Sequence, residues 1–240
     1  PIPGAPAGYR HLREAGVEPL FVSNNPTKAP PAYVDRLGAA GDDVDADRVF
    51  TAGSVTTRYL RERHADDDLL CIAAPGLLDQ FAEAGLSTTD DVDAADALVA
   101  SIDHEFDYDD LCTALWALER DIPFIGTDPD VVIPTPERDV PGSGAVINAI
   151  AGVAEREPDA VLGKPSDTAI EMVRERLPYP AEECLVVGDR LDTDIALGER
   201  AGMTTVLVRS GVTDDDDLAA SAIDPDHVID HLGEIDRVVD

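Results

Sequence analysis

Short apolar runs, each closed by a polar turn and followed by a helix-like stretch, recur along the whole chain. That rhythm restricts the fold more than any other feature of the sequence. "LLCIAA" (69–74), "ALVASI" (97–102), "IPFIG" (122–126), "CLVVG" (184–188) and "TTVLV" (204–208) are five or six residues long. Runs this short and this continuously apolar suit strands covered on both faces, as in parallel sheets. Between them the periodicity predicts helices over residues 6–15, in "PPAYVDRLGAAG", "SVTTRYLRERH", "GLLDQFAEAG" and "DYDDLCTALWALERD", and over residues 144–156, 167–176 and 193–200. Further strands are expected at Leu20–Val22 and in "RVF", and "AVLGKPS" reads as a loop. Strand–helix alternation with repeated Gly stops predicts an α/β fold of parallel sheets. The Pro- and Gly-rich "TDPDVVIPTPERDVPGSG" is a candidate domain seam.

With 240 residues the chain can form one large α/β domain, or a core with a smaller insert, and either buries a sizeable core. A formal charge of -32 would suggest disorder, but 44% of the residues are hydrophobic, so the charge belongs on a folded surface. Such a surface repels nucleic-acid phosphates and anionic membranes, and no basic patch longer than the mixed "RYLRERH" opposes it. Lys28 and Lys164 are the only lysines; Arg supplies every other basic side chain. This acid-rich, Lys-poor balance resembles proteins of salt-loving archaea. Cys71, Cys112 and Cys184 are scattered in apolar or helical patterns, which fits reduced thiols better than disulfides or a thiolate metal site. No apolar run approaches the roughly 18 residues of a membrane span and no signal peptide is seen, so a cytoplasmic location is expected.

Three segments carry chemistry. In "LVVGDRLDTDI" (185–195), Asp189 lies where a strand ends and Asp194 near the first turn of the next helix. Open α/β sheets place ligands at such strand ends, and two carboxylates suit Mg²⁺, which keeps several waters. The alternative is local: Asp192 as N-cap, Asp189 in a turn, Asp194 a first-turn acid. "FVSNNPTK" ends the first strand, where Ser23, Asn24 and exposed N–H groups suit phosphate oxygens, though Asn-Asn and Asn-Pro are also ordinary turn material. "LGKPS" holds Lys164 in a rigid loop, where it can oppose phosphate or carboxylate charge or simply face solvent. Lys28 reads as a surface or rim charge. "GSG" (142–144) reads as a turn or packing element before an anion site, and "DDDD" (214–217) as a solvated loop or helix start before a metal cage. The five histidines lack metal-ligand spacing and none flanks a nucleophile elbow, and no GxxxxGK[ST] loop occurs.

Taken in order, "FVSNN", "GKPS" and "VGDRLDTDI" closely resemble motifs two, three and four of the haloacid dehalogenase-like (HAD) superfamily of phosphatases. "PIPGA" and "VPGSGA" narrow the resemblance to its p-nitrophenyl phosphatase and NagD-like sugar phosphatase branch, whose members carry a large α/β cap between motifs two and three. The resemblance covers almost the whole chain. It implies a Rossmannoid three-layer core over residues 1–52 and 142–240 and a cap over residues 53–141. It also implies that Ser23 and the Asn24 backbone hold the phosphoryl group, that Lys164 pairs with phosphate and a nucleophilic aspartate, and that Asp189 and Asp194 hold Mg²⁺. Asp192 remains a capping or supporting candidate, and Asp128 is expected near the substrate entrance of the cap.

Family members form a phospho-aspartate on a DxD motif that precedes "PIPGA", and neither aspartate is among these residues; residues upstream of Pro1 are therefore expected. The implied reaction is Mg²⁺-dependent hydrolysis of a phosphate monoester on a small phosphorylated metabolite, with a homodimer through the cap as a family expectation. Phosphotransfer to another acceptor, or a catalytically silent phosphometabolite-binding or dimeric scaffold, are the alternatives.

Overall fold

The computed structural model describes residues 2–39 and 44–239. In chain order the first half holds α1 (Ala5–Glu14), β1 (Phe21–Ser23), α2 (Pro30–Ala39), β2 (Val49–Thr51), α3 (Ala52–Arg63), β3 (Asp68–Ile72), α4 (Pro75–Glu83), β4 (Ser87–Thr89), β5 (Ala97–Ala100) and α5 (Tyr108–Leu118). Then come β6 (Phe124–Gly126), β7 (Val132–Ile133), β8 (Val140–Pro141), α6 (Ser143–Ala154), β9 (Ala160–Val161), α7 (Asp167–Arg176), β10 (Leu185–Gly188), α8 (Ala196–Ala201), β11 (Thr204–Val208), α9 (Asp215–Ala220) and β12 (His227–Ile229). The last two residues of "PPAYVDRLGAAG" lie outside the described residues. The chain divides into two compact units, Pro1–Phe21 with Ala169–Asp240, and Val22–Thr168.

In the first unit β10, β11 and β12 form a parallel sheet in that order, with Leu185 opposite Thr204 and Val206 opposite His227. Successive side chains of β11 point to opposite faces. Val206 joins Leu12, Ile229 and Ile235 in one cluster, whereas Leu207 joins Leu191 and Ile195 in another. Both faces are thereby covered, which is why "TTVLV" is apolar without alternation. Gly8 allows the close approach of α1 to the turn at Leu232, since a Cβ there would lie 2.0 Å from the Leu232 carbonyl oxygen. The "DDDD" run is a helix start: Asp214 caps α9, accepting the Asp217 N–H at 2.8 Å while Asp217 accepts the Asp214 N–H.

The second unit is built on a five-stranded parallel sheet ordered β4-β3-β5-β6-β9. All four residues of the central β5 are buried. Leu98, Ala100 and Phe124 pack with Ala114 and Ala117 of α5 and Ile147 and Ile150 of α6, which accounts for the unbroken apolar stretches in this part of the sequence. Asp107 caps α5 in a reciprocal arrangement with Asp110, so part of the acidic excess serves helix starts. β1 and β2 form a separate two-stranded pair, and β7 and β8 an antiparallel hairpin.

The strands and helices anticipated from periodicity are present, with boundaries shifted by one to three residues. Two local expectations need correction. "AVLGKPS" is not wholly a loop, because Ala160 and Val161 pair with Ile125 and Gly126 of β6. The helix expected over 193–200 begins instead as a π-helical turn, Leu191–Ile195, before α8. β4, β7, β8 and β12 left no apolar run in the sequence because they are two or three residues long and mostly exposed. Among the described residues no helix is long and apolar enough to cross a membrane.

Candidate active site

β1 ends at Ser23, and the polar residues after it fold into a turn held by their own side chains. The Ser23 hydroxyl accepts the Asn25 N–H at 3.3 Å and shares a 2.9 Å hydrogen bond with the Tyr33 hydroxyl of α2. Asn25 Oδ1 accepts both the N–H and the hydroxyl of Thr27, at 2.8 and 2.9 Å. Asn and Ser side chains replace backbone partners in this way wherever a strand must stop.

Asn24 points its amide at the "GKPS" loop. Its Oδ1 accepts the Lys164 N–H at 2.7 Å, and its Nδ2 donates to the Lys164 carbonyl at 3.2 Å and to Asp130 Oδ1 at 3.4 Å. Lys164 Nζ donates to the Val22 carbonyl at 3.0 Å, beside the same strand end. Gly163, before the lysine, has φ +73°, and a Cβ there would lie 2.9 Å from Asn24 Oδ1 and 3.2 Å from the Asp128 Cβ. Only glycine combines that left-handed backbone with so close an approach. Ser23, Asn24 and Lys164, singled out separately in the sequence, thus form one cluster in the Val22–Thr168 unit.

Asp128 borders this cluster from within. It is only 1% exposed, beside the equally buried Thr127 and Ser143, so it is not the solvent-facing entrance residue pictured from the sequence. Thr127 donates its hydroxyl to Asp128 Oδ2 at 3.2 Å, and Ser101 shares a 2.8 Å bond with Thr127. Asp128 Oδ1 accepts the Asp130 N–H at 3.2 Å. Burial pushes the Asp128 carboxyl up to about 7, against the lowering effect of its Ser143 and Thr127 hydrogen bonds, and the Asp130 charge adds to the rise. Tyr33, Asp130 and the hydroxyls of Ser101, Thr127 and Ser143 were not picked out from the sequence. The one available signal was "TDPD", an acid on either side of a proline after an apolar strand.

Asp189 and Asp194 lie in the other unit. Asp194, 8% exposed, accepts the N–H groups of Asp189 and Arg190 on its Oδ2 at 3.1 and 3.2 Å. Asp189 Oδ2 accepts the Val212 N–H at 2.9 Å. Glycine is needed on both sides of the pair: a Cβ at Gly188 would lie 2.1 Å from the Asp194 Cβ, and one at Gly211 2.0 Å from Asp189 Oδ2. Asp192 is exposed and makes no side-chain cap, which removes the capping role considered for it. Among the described residues no group of three or more His, Cys, Asp or Glu could hold a metal ion. Two neighbouring carboxylates nevertheless fit Mg²⁺, which takes one or two and completes its shell with water.

"GSG" proves to be a packing element. A Cβ at Gly142 or Gly144 would lie 2.2 Å from the Asp130 carbonyl oxygen or 2.4 Å from that of Pro129. A cavity of about 710 Å³ opens elsewhere in the Val22–Thr168 unit, beside Ser54, Thr57, Arg58 and Gln80. Those polar groups bond within the chain, to Thr51, Gly53, Glu62 and Pro26 respectively, and are committed to structure.

Two family models match the chain, a haloacid dehalogenase-like hydrolase model over residues 1–87 and a HAD-hydrolase-like model over residues 161–235. The 5'-nucleotidase YutF of Bacillus subtilis (strain 168) is 31% identical over 225 residues, 94% of this chain and 87% of the relative. An acid sugar phosphatase of Staphylococcus epidermidis is 31% identical over 224 residues, 93% of this chain and 86% of the relative. The solved p-nitrophenyl phosphatase from Archaeoglobus fulgidus matches with a TM-score of 0.90 at 32% identity, covering 99% of this chain and 92% of that one. The architecture is accordingly an α/β Rossmannoid core with parallel sheets and an inserted α/β cap.

Proposed function

This chain belongs to the haloacid dehalogenase-like hydrolases, and from that premise we propose that it is a Mg²⁺-dependent phosphatase of small phosphorylated metabolites, of the p-nitrophenyl phosphatase and sugar phosphatase branch. The observation that carries the proposal is the Asn24–Lys164 pairing, in which two motifs 140 positions apart meet through a side chain of one and the backbone of the other. The likeness to a 5'-nucleotidase, an acid sugar phosphatase and a p-nitrophenyl phosphatase supports a phosphate monoester as substrate. The reading also takes residues 53–141 as the cap, residues 1–52 and 142–240 as the catalytic core, the cap as the dimer surface, and the cytoplasm of a salt-loving archaeon as the setting.

In this proposal the Ser23 hydroxyl and the backbone after β1 orient the oxygens of the phosphoryl group. The Lys164 ammonium opposes their charge, and its neighbouring carbonyl, Val22, limits where that ammonium can lie. Asp189 and Asp194 would hold Mg²⁺, which when bound supplies Lewis-acid stabilisation of phosphoryl charge. The net reaction consumes water and a phosphate monoester and yields an alcohol and inorganic phosphate. The phosphoryl-accepting and proton-transferring aspartates implied by the family resemblance lie in the DxD segment outside these residues.

The test uses protein expressed from the intact reading frame, in molar KCl, against p-nitrophenyl phosphate and a panel of sugar phosphates and nucleoside monophosphates. Phosphate release that requires Mg²⁺ and is stopped by chelation is the expected result. Transfer to an added alcohol with little free phosphate would make the protein a phosphotransferase. No turnover of any phosphate ester would leave the silent-binder alternative.

A further inference from the structure

We infer that Asn24 is a positioning residue whose side chain serves Lys164. This inference rests on the phosphatase reading for its consequence in turnover, and on geometry alone for the contact itself. A lysine used as a point charge has four rotatable carbons between backbone and ammonium, so its effect depends on how firmly the backbone is anchored. Lys164 sits in a loop between a left-handed glycine and a proline, where sheet pairing has ended after Val161. The Asn24 amide supplies what the sheet does not: an acceptor for the Lys164 N–H and a donor for its carbonyl, both on one residue.

The same amide group also reaches Asp130 Oδ1, whose own N–H is held by buried Asp128. One side chain therefore ties together the strand end after β1, the loop after β6 and the lysine loop, all within the Val22–Thr168 unit. Asn suits this position because its oxygen and nitrogen satisfy opposite needs. An aspartate would keep the acceptor but turn a negative oxygen toward the Lys164 carbonyl and the Asp130 carboxylate. An alanine would supply neither bond.

Because the chain has only two lysines, the inference can be tested without relying on activity. Reductive methylation with ¹³C-formaldehyde labels Lys28 and Lys164, and K28R identifies their signals. In the unaltered protein the Lys164 dimethylamino signal is expected away from the free-lysine position. In N24A it should move to that position while the Lys28 signal stays unchanged. If N24A does not fold, the near-isosteric N24D tests the same point, with the same displacement expected. An unmoved Lys164 signal in a folded N24A or N24D protein would overturn the inference.

Turnover of p-nitrophenyl phosphate supplies the functional arm. N24A should lower kcat/KM about tenfold, the size expected for two ordinary hydrogen bonds. It should lower it no further in a K164A background, since Asn24 acts through Lys164. An equal N24A loss in both backgrounds would overturn the positioning role. If the unaltered protein turns over no phosphate ester while the Lys164 signal still responds to N24A, the contact stands and the phosphatase reading fails.

Discussion

Asp194 closes a turn around Asp189: its Oδ2 accepts the Asp189 backbone N–H at 3.1 Å and the next N–H, that of Arg190, at 3.2 Å. The carboxylate thus has a structural duty apart from any proposed cation. Asn at this position keeps an oxygen for the two N–H groups but loses the charge, so D194N should retain its melting temperature and require more Mg²⁺ for turnover. D194A leaves two partly buried N–H groups without that oxygen and should cost about 1–3 kcal/mol in denaturant unfolding as well. Equal melting of both variants would remove the structural duty, and an unchanged Mg²⁺ requirement in D194N would remove the proposed ligand role.

The two lysines should differ sharply. Lys28 is exposed, whereas Lys164 is half-buried, with its ammonium at 3.0 Å from the Val22 carbonyl oxygen. If Lys164 stabilises phosphoryl charge, K164A should lower kcat/KM by about 100-fold or more, the size of losing one well-placed donor. K28A should change it by less than about twofold, as for exposed side chains away from special features. Steady-state kinetics on p-nitrophenyl phosphate in high salt decides between this outcome and equal losses, which would end the assignment of Lys164.

Asp128 should make stability depend on pH in the opposite sense to a salt-bridged carboxylate. Its carboxyl is raised from 3.8 to about 7 by burial. Between those values the folded protein keeps a proton that the unfolded chain releases, so this group's contribution falls as pH rises through the window and is flat above it. Above neutral pH, where the buried carboxyl must ionise, the loss of stability reaches about 4 kcal/mol. D128N cannot ionise, so relative to the unaltered protein it should gain stability from pH 4.5 to pH 8 in urea unfolding. A difference that does not change with pH would show the carboxyl titrating alike in both states.

Folding should require salt. With a formal charge of -32, exposed carboxylates repel one another over the Debye length, about 10 Å at 0.1 M salt and about 3 Å at 1 M. A melting curve in 3 M KCl should therefore lie well above one in 0.1 M KCl; about 3 kcal/mol of relief would raise the midpoint by roughly 6–12 °C for a chain of this size. Equal midpoints would show that the acidic surface is not under electrostatic strain.

Most of the element order could be read before the structure, because strands buried on both faces must be apolar throughout. β5 and β11 illustrate this: "ALVA" is wholly buried, and "TTVLV" has Val206 and Leu207 in clusters on opposite faces. Elements without that burial left no such pattern. β4, "STT", is largely exposed, and β9 contributes only two residues to its sheet. The π-helical turn at Leu191–Ile195 was also illegible, because its shape follows from Asp194 reaching back to two N–H groups, a contact that periodicity does not encode.

The sequence by itself determined which residue types are available for phosphate and metal chemistry, and in what order: Ser23 and Asn24 after one strand, Lys164 in a constrained loop, Asp189 and Asp194 after another strand. It did so because strand ends, glycines and scarce lysines are local features. Only the tertiary structure decided the partners. Asn24 meets Lys164 across 140 positions, and Asp128 sits beneath that pair at 1% exposure, out of water. An amide takes whichever donor and acceptor the packed chain brings within about 3 Å, and a carboxyl titrates according to the solvent that packing removes; neither quantity is carried by neighbouring letters.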